Sequence, residues 1–194
     1  MNTDFRAALR PALVLTILFA LLLGIGYPLA MTGVSQLVFP TQANGSLVRD
    51  GGRVIGSTVL GQAFTTDRYF QTRPSAAGKG YDPLASAGSN LGPTDTRLVD
   101  RVKADVAARR EQGVAGAVPA DLVTTSGSGL DPDLSPAAAL AQAARVARAR
   151  GLPEVAVRDL VNRNVDGPTL GFLGEPRVNV LALNQALDRL PASR

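Results

Sequence analysis

The chain has 194 residues, 45% of them apolar and 19% charged, a globular balance, and it contains no His, Cys or Trp. Without His or Cys there is no Ser-His-Asp or Cys-His nucleophilic machine, no zinc site of the usual ligand types, no haem His and no disulfide framework. The formal charge of +4 comes from 20 Lys+Arg, only two of them Lys, scattered among 16 acids, a pattern of solvated faces and ion pairs more than of a phosphate footprint.

The first readable element is apolar. Arg6 and Arg10 precede a stretch from Pro11 to Val48 that carries no charge, and Ala12 to Ala30 holds eleven Leu, Ile, Val or Phe. Nineteen helical residues rise about 28 Å, close to the hydrocarbon thickness of a bilayer. Each of the eleven favours insertion by about 0.3–0.6 kcal/mol, with no charge to oppose them. A cleavable signal peptide is the rival reading. It normally has a shorter apolar region and a small-x-small exit, whereas this stretch leaves through Gly24-Ile25-Gly26-Tyr27-Pro28-Leu29-Ala30-Met31. A buried core helix is the second rival, but core helices rarely stay apolar on every face. The expected organisation is a cytoplasmic N-terminus (1–11), a transmembrane helix (12–31) and an extracytoplasmic domain (32–194). Bases on the short N-terminal flank orient the span with that flank inside. Gly24 and Gly26 suit either a close partner helix or a loosening of the helix before Pro28. One span cannot by itself line a transport pathway.

The remainder reads as one mixed domain. Ser46–Arg49 and Arg53–Gly56 predict two short strands around Gly51-Gly52, with Ser57 to Phe64 as a continuation of the second. Tyr69 and Phe70 offer aromatic core or partner contacts. From Arg73 to Gly92 the chain is rich in Pro, Gly, Ser and Ala and predicts a long loop with little core-forming material. A helix follows, capped by Thr94 or Thr96, with Leu98, Val102 and Val106 on one stripe and Gly113 at its end. Asp121-Leu122-Val123-Thr124 is a strand candidate. Ser135 as N-cap, Pro136 at the first helical position and Gly151 as stop frame the next helix, whose Arg145, Arg148 and Arg150 suit the negative end of the helix dipole. A third helix spans Glu154 to Asn164, with Val157, Leu160 and Val161 on one side. A terminal helix carries Leu183, Leu187 and Leu190. Short strands mixed with separated helices give an α+β class, with a small sheet and about four helices after the single transmembrane helix.

Three segments are too specific for generic loops. The first is Arg73-Pro74-Ser75-Ala76-Ala77-Gly78-Lys79-Gly80-Tyr81-Asp82-Pro83, running on to Ser86-Ala87-Gly88-Ser89-Asn90-Leu91-Gly92-Pro93-Thr94. The second is Val118 to Pro132, containing Thr124-Thr125-Ser126-Gly127-Ser128-Gly129-Leu130-Asp131-Pro132, with Leu134-Ser135-Pro136 after it. The third is Gly174-Glu175-Pro176-Arg177-Val178-Asn179-Val180-Leu181 with Leu183-Asn184. In order and spacing, together with the N-terminal span, they resemble the C subunit of the Kdp-type potassium-transporting ATPase along almost the whole chain. Ala87 stands where a second Gly is expected, Asp95 where Asn is usual, and Asp133 where the family often has His.

The resemblance implies an accessory, non-catalytic subunit in the bacterial cell membrane. Its implied partners are a channel-like potassium-binding subunit, a P-type ATP-hydrolysing subunit and a small membrane peptide. It further implies a catalytic chaperone that raises the ATP affinity of the hydrolysing subunit, with potassium as the ion the complex moves. The charge bias instead places the domain away from cytoplasmic ATP, and a cap over the potassium entrance from outside is consistent with it. No G-x-x-x-x-G-K-[ST] loop is present, since the glycine upstream of Gly78-Lys79 would fall on Arg73. The alternative is a membrane-tethered extracytoplasmic binding or hydrolytic protein unrelated to transport. Candidate partner contacts are Arg73, Ser75, Lys79, Tyr81, Ser89, Asn90, Glu175, Arg177 and Asn179. Ser126, Gly127, Ser128 and Gly129 offer an anion or nucleotide cradle, against a plain turn. Asp82, Asp131 and Asp133 could be hydrolytic carboxylates, though Asp before Pro is first a turn former. No catalytic residue and no metal site are expected.

Overall fold

The computed structural model of the chain describes residues 2–190. They fall into two compact units, divided between Leu47 and Val48.

The first unit is an almost unbroken helix. α1 (Asn2–Leu21) passes through a π turn (Leu22–Gly26) into α2 (Tyr27–Val38), followed by the single turn α3 (Pro40–Ala43). Pro28 explains the π turn. Its ring has no N–H to donate and crowds the carbonyl four residues back. Just before it, Tyr27 donates to Leu22, five residues back, so the register slips by one residue and the proline is absorbed. The loosening expected around Gly24 and Gly26 is therefore a bulge inside the helix and not its exit. Ala7–Val38, 32 residues, is the one helix among the described residues that is long and apolar enough to cross a membrane, and none of it is buried. At about 48 Å it outreaches the hydrocarbon layer. A core helix is thus excluded, and the element fits a membrane anchor.

The second unit contains two separate two-stranded ladders instead of one small sheet. β1 (Leu47–Asp50) and β2 (Arg53–Ser57) pair around Gly51 and Gly52, both at positive φ. The expected continuation of β2 does not form; the chain turns back at Ser57–Leu60. β3 (Asp133–Leu134) and β4 (Val178–Asn179) pair antiparallel, Asp133 opposite Asn179 and Leu134 opposite Val178. The strand expected at Asp121–Thr124 is a single 3-10 turn, Ala120–Leu122.

The helices follow their punctuation more closely. α4 (Thr96–Glu111) is capped by Asp95, whose side chain accepts from the Arg97 amide, and not by Thr94 or Thr96. α5 (Pro136–Arg150) has the Ser135 cap and ends on Gly151 at φ +68. α6 (Glu154–Arg163) buries Val157, Leu160 and Val161, as the spacing predicts. α7 (Val180–Asp188) is capped by Asn179. Ala138, Ala139, Ala143, Val146 and Ala147 of α5 form a small-residue face in the core. They cluster with the α6 residues, with Val180, Leu183 and Leu187 of α7, and with Phe70.

Residues 67–71 form no ladder, yet they run along this core and bury Phe70 in it. Two buried carboxamides take the place of neighbouring strands. Asn184 accepts from the Phe70 amide and donates to the Phe70 carbonyl, both at 2.9 Å. Gln142 accepts from the Gln71 amide at 2.9 Å and donates to its carbonyl at 3.1 Å. Arg145, buried in mid-helix, donates to the carbonyls of Asp67 and Tyr69. Arg150 donates to the carbonyl of Arg68 and lies over the Tyr69 ring. Arg145 and Arg150 therefore clasp a chain segment, where the sequence suggested dipole capping alone. Burial lowers the Arg145 pKa, and Asp67 opposes the shift.

Asn184→Leu keeps the branched shape, with somewhat more bulk, but leaves the buried Phe70 amide and carbonyl without partners. It should cost about 2–5 kcal/mol of stability. Urea unfolding of the full chain in detergent measures this; a loss below about 0.5 kcal/mol would mean that water replaces the carboxamide.

Candidate functional site

The three segments singled out in the sequence meet on one side of the domain. There they line an open cleft of about 400 Å³ that includes Arg73, Asp121, Asp131, Asp133, Glu175 and Arg177. A second hollow of about 460 Å³ shares Asp133 and Arg177 and adds Asp166 and Asn179.

Most of these charges are held by partners on other segments. Arg73 pairs with Asp131 at 2.9 Å and donates to the carbonyls of Thr124 and Thr125. Asp131 also accepts from the Asp133 amide, the turn role expected of Asp before Pro. Asp121 accepts from the amide and hydroxyl of Ser135, so it steadies the α5 cap. Asp133 accepts from Asn179 at 3.0 Å and pairs with Arg177 at 3.3 Å. Burial raises the Asp133 pKa above the usual carboxylate value; Asn179 opposes this, and the nearby charge of Asp131 adds to it. Glu175 is exposed and joins no ion pair among the described residues, so Arg177 pairs with Asp133 and not with Glu175.

The other sequence candidates divide into two sets. Ser75 and Tyr81 are half-buried and hold the first segment together. The Ser75 hydroxyl donates to the Gly129 carbonyl at 2.6 Å and accepts from the Tyr81 amide at 2.8 Å. The Tyr81 hydroxyl donates to the Arg73 carbonyl and accepts from Thr72. Lys79 and Asn90 stand exposed, and Ser89 is half-buried. Asn179 caps α7 and donates to the Thr58 carbonyl. The 73–92 loop therefore has more structural content than its composition suggests, with Ala77 fully buried beneath it. Asp82 accepts from the Leu84 amide, again a turn role.

Ser126–Gly129 is a knot between segments. Its Gly129 and Leu130 amides already donate to the Ser126 and Ser128 hydroxyls, at 2.9 and 3.1 Å. The Ser128 carbonyl accepts from the Ala87 amide and the Ser86 hydroxyl. Gly129 sits at φ +68, and a Cβ there would lie 2.6 Å from the Ala87 carbonyl oxygen and 2.7 Å from the Ala77 amide nitrogen. Two of the amides a phosphate would use are thus engaged within the turn. No group of three or more His, Cys, Asp or Glu that could hold a metal ion occurs among the described residues.

Sequence reading missed Asp121 and Asp166 as neighbours of this cleft. Asp121 meets Ser135 across 14 residues, and Asp166 meets Arg177 across a hairpin. Neither separation leaves a local signature.

The family model described as K+-transporting ATPase, c chain, matches residues 9–189. The chain belongs to the KdpC family. It is 61% identical to the potassium-transporting ATPase KdpC subunit of Caulobacter vibrioides (strain NA1000 / CB15N) over 181 residues, 93% of this chain and 92% of that protein. It is 57% identical to the KdpC subunit of Methylobacterium nodulans, covering 94% of this chain and 96% of the relative. The figure for the Bradyrhizobium diazoefficiens subunit is 53%, covering 95% and 98%. KdpC is a subunit of a potassium-transporting ATPase and not its catalytic one, which sets aside the free-standing hydrolytic reading.

Two predictions follow from this geometry. Gly129→Ala should cost about 2–5 kcal/mol, from positive φ plus backbone overlap. Gly127→Ala, with nothing within 4 Å of its added Cβ, should stay within about 0.5 kcal/mol. Thermal melts of the two variants test the contrast, and equal losses would place the strain elsewhere. For Asp133, the folded pKa is raised, so its ionised form opposes folding at neutral pH and this opposition disappears on acidification. The stability of Asp133→Asn relative to the parent should therefore be highest near pH 7 and decline toward about pH 4. A difference independent of pH would contradict the burial effect.

Proposed function

We propose that this subunit stabilises an ATP-driven potassium uptake complex from outside the cytoplasm, tethered by its N-terminal helix. The observation that carries the reading is the pairing of a single exposed apolar helix with a folded domain of its own. One helix has no polar interior for an ion to follow, so this chain acts on transport by biasing larger partners. Arg6 and Arg10 flank the helix on its short side, and the next charges come only at Arg49 and Asp50, which favours an inside N-terminus and an outside domain in a single-pass inner-membrane protein.

The partners are the channel-like potassium-binding subunit, the P-type ATP-hydrolysing subunit and the small membrane peptide. Contacts fall on two surfaces. One is the cleft rim, where Glu175, Arg177 and Asn179 stand. The other is the first loop, where Lys79 and Asn90 stand exposed beside the half-buried Ser89, supported by Arg73, Ser75 and Tyr81. The catalytic-chaperone role, a raised ATP affinity in the hydrolysing subunit, then works through assembly and not through nucleotide held by Ser126–Gly129. The engaged amides of that turn support this division.

Protease added to intact spheroplasts should digest the chain beyond Thr41 and spare the N-terminus. In mild detergent the full chain should co-purify with the larger subunits. A protected domain would reverse the orientation and restore direct access to cytoplasmic ATP.

A further inference from the structure

Between Val165 and Arg177 the chain leaves the domain as a hairpin. Asp166 and Arg177 exchange both backbone hydrogen bonds, at 2.8 and 2.9 Å, and Thr169 and Leu173 do the same, both at 2.9 Å. The Gly171 amide donates to Pro168. The protrusion is therefore hydrogen-bonded from base to tip. Its tip is apolar: Leu170 is 79% exposed, Phe172 74% and Leu173 52%.

Two features show that this tip is not domain packing. Leu170 sits at φ +57, a left-handed conformation that disfavours a leucine, and its side chain gains no burial in return. Exposed apolar clusters on a rigid element mark contact sites more often than solvated surface. Charge then selects the partner. No Lys or Arg occurs from 164 to 176, Asp166 and Glu175 flank the tip, and Arg177 at the hairpin base is paired with Asp133. Its base adjoins the cleft, where Asp121, Asp131, Asp133 and Glu175 outnumber Arg73 and Arg177. An anionic bilayer surface attracts bases and repels such a collar.

We infer that the Leu170–Leu173 tip is a docking prong that seats in an apolar pocket, rimmed by Lys or Arg, on another subunit of the same complex. The inference rests on the accessory-subunit reading above and adds the anchor and the chemistry of its receptor. Interface cores favour aromatic side chains and exclude charge, so Phe172 is the central anchor.

The test uses the whole complex, purified through one of the larger subunits in mild detergent. Phe172→Ser and Leu170→Gly should each reduce the amount of this subunit retained, by about tenfold for Phe172→Ser. Phe172→Leu should restore most of it. Leu170→Gly relieves the left-handed strain, so thermal stability of the variant chain should hold or rise while retention falls. A benzophenone-bearing phenylalanine analogue at position 172, irradiated in native membranes, should give an adduct to another subunit of the complex, identified by its peptides. Retention of Phe172→Ser at the parental level, or an adduct to lipid alone, would overturn the prong. Absence of the parental chain from the purified complex would instead overturn the accessory-subunit reading itself.

Discussion

The domain depends on a substitution of side chain for strand. Residues 67–71 pass along the core without a ladder and bury Phe70 in it, where backbone amides and carbonyls need partners. Asn184 and Gln142 present one acceptor and one donor each, the same pair a neighbouring strand would supply, and they do so from two helices, α7 and α5. The arrangement fixes helix positions as well as the segment. α5 and α7 must each hold a carboxamide against adjacent residues of one chain, so their spacing is set by hydrogen-bond length as well as by the Ala and Leu faces between them. Phe70, threaded between the two clamps, is then fully buried.

Placement of the cleft follows from that clamp. Residues 70–71 are held, so Arg73 emerges at a defined point, where it reaches Asp131 and the Thr124 and Thr125 carbonyls. The second segment is drawn in by backbone approach: the Gly61 amide donates to Leu130 at 2.8 Å, and Gly129 lies against Ala77 and Ala87. β3 and β4 bring the third segment alongside. Three separate pieces of chain thus form one hydrogen-bonded rim, and pre-organisation of this kind lowers the cost of binding.

Legibility in the sequence tracked the range of the interaction. The Ser135–Pro136–Gly151 frame of α5 and the Val157, Leu160 and Val161 face of α6 are local patterns, and both appear as read. The β1–β2 turn at Gly51-Gly52 is equally local. The 73–92 loop was the hardest to read. Its order comes from one hydroxyl, Ser75, reaching residues 6 and 54 positions away, and composition carries no trace of that. At Asp121–Thr124, apolar content suggested a strand, but no partner strand lies beside it and the residues close a 3-10 turn instead. In the cleft, turn chemistry identified Asp131, whereas the Asp133–Arg177 pair needed the β3–β4 register. The exposure of the hairpin tip is a property of the fold.

The excess of arginine also finds its place. A chain with 20 bases, 16 acids and no phosphate-binding pattern leaves positive charge to be explained. Part of it faces carbonyl oxygens, and three of the arginines involved, Arg73, Arg145 and Arg150, also pair with a carboxylate. Arg145 donates to the carbonyls of Asp67 and Tyr69, Arg150 to Arg68, Arg68 to Ala149, Arg109 to Leu122, and Arg73 to Thr124 and Thr125. A guanidinium offers five donors in a fixed fork and keeps its charge when buried, so it can bind several carbonyls that no ladder satisfies. Burial lowers the pKa of both Arg109 and Arg145. A fold with so little sheet has many such carbonyls, and arginine is the side chain that can serve more than one at once. Five of the arginines thus serve the irregular backbone of this fold. At the cleft and its neighbouring hollow the balance is reversed, with Asp121, Asp131, Asp133, Asp166 and Glu175 against Arg73 and Arg177.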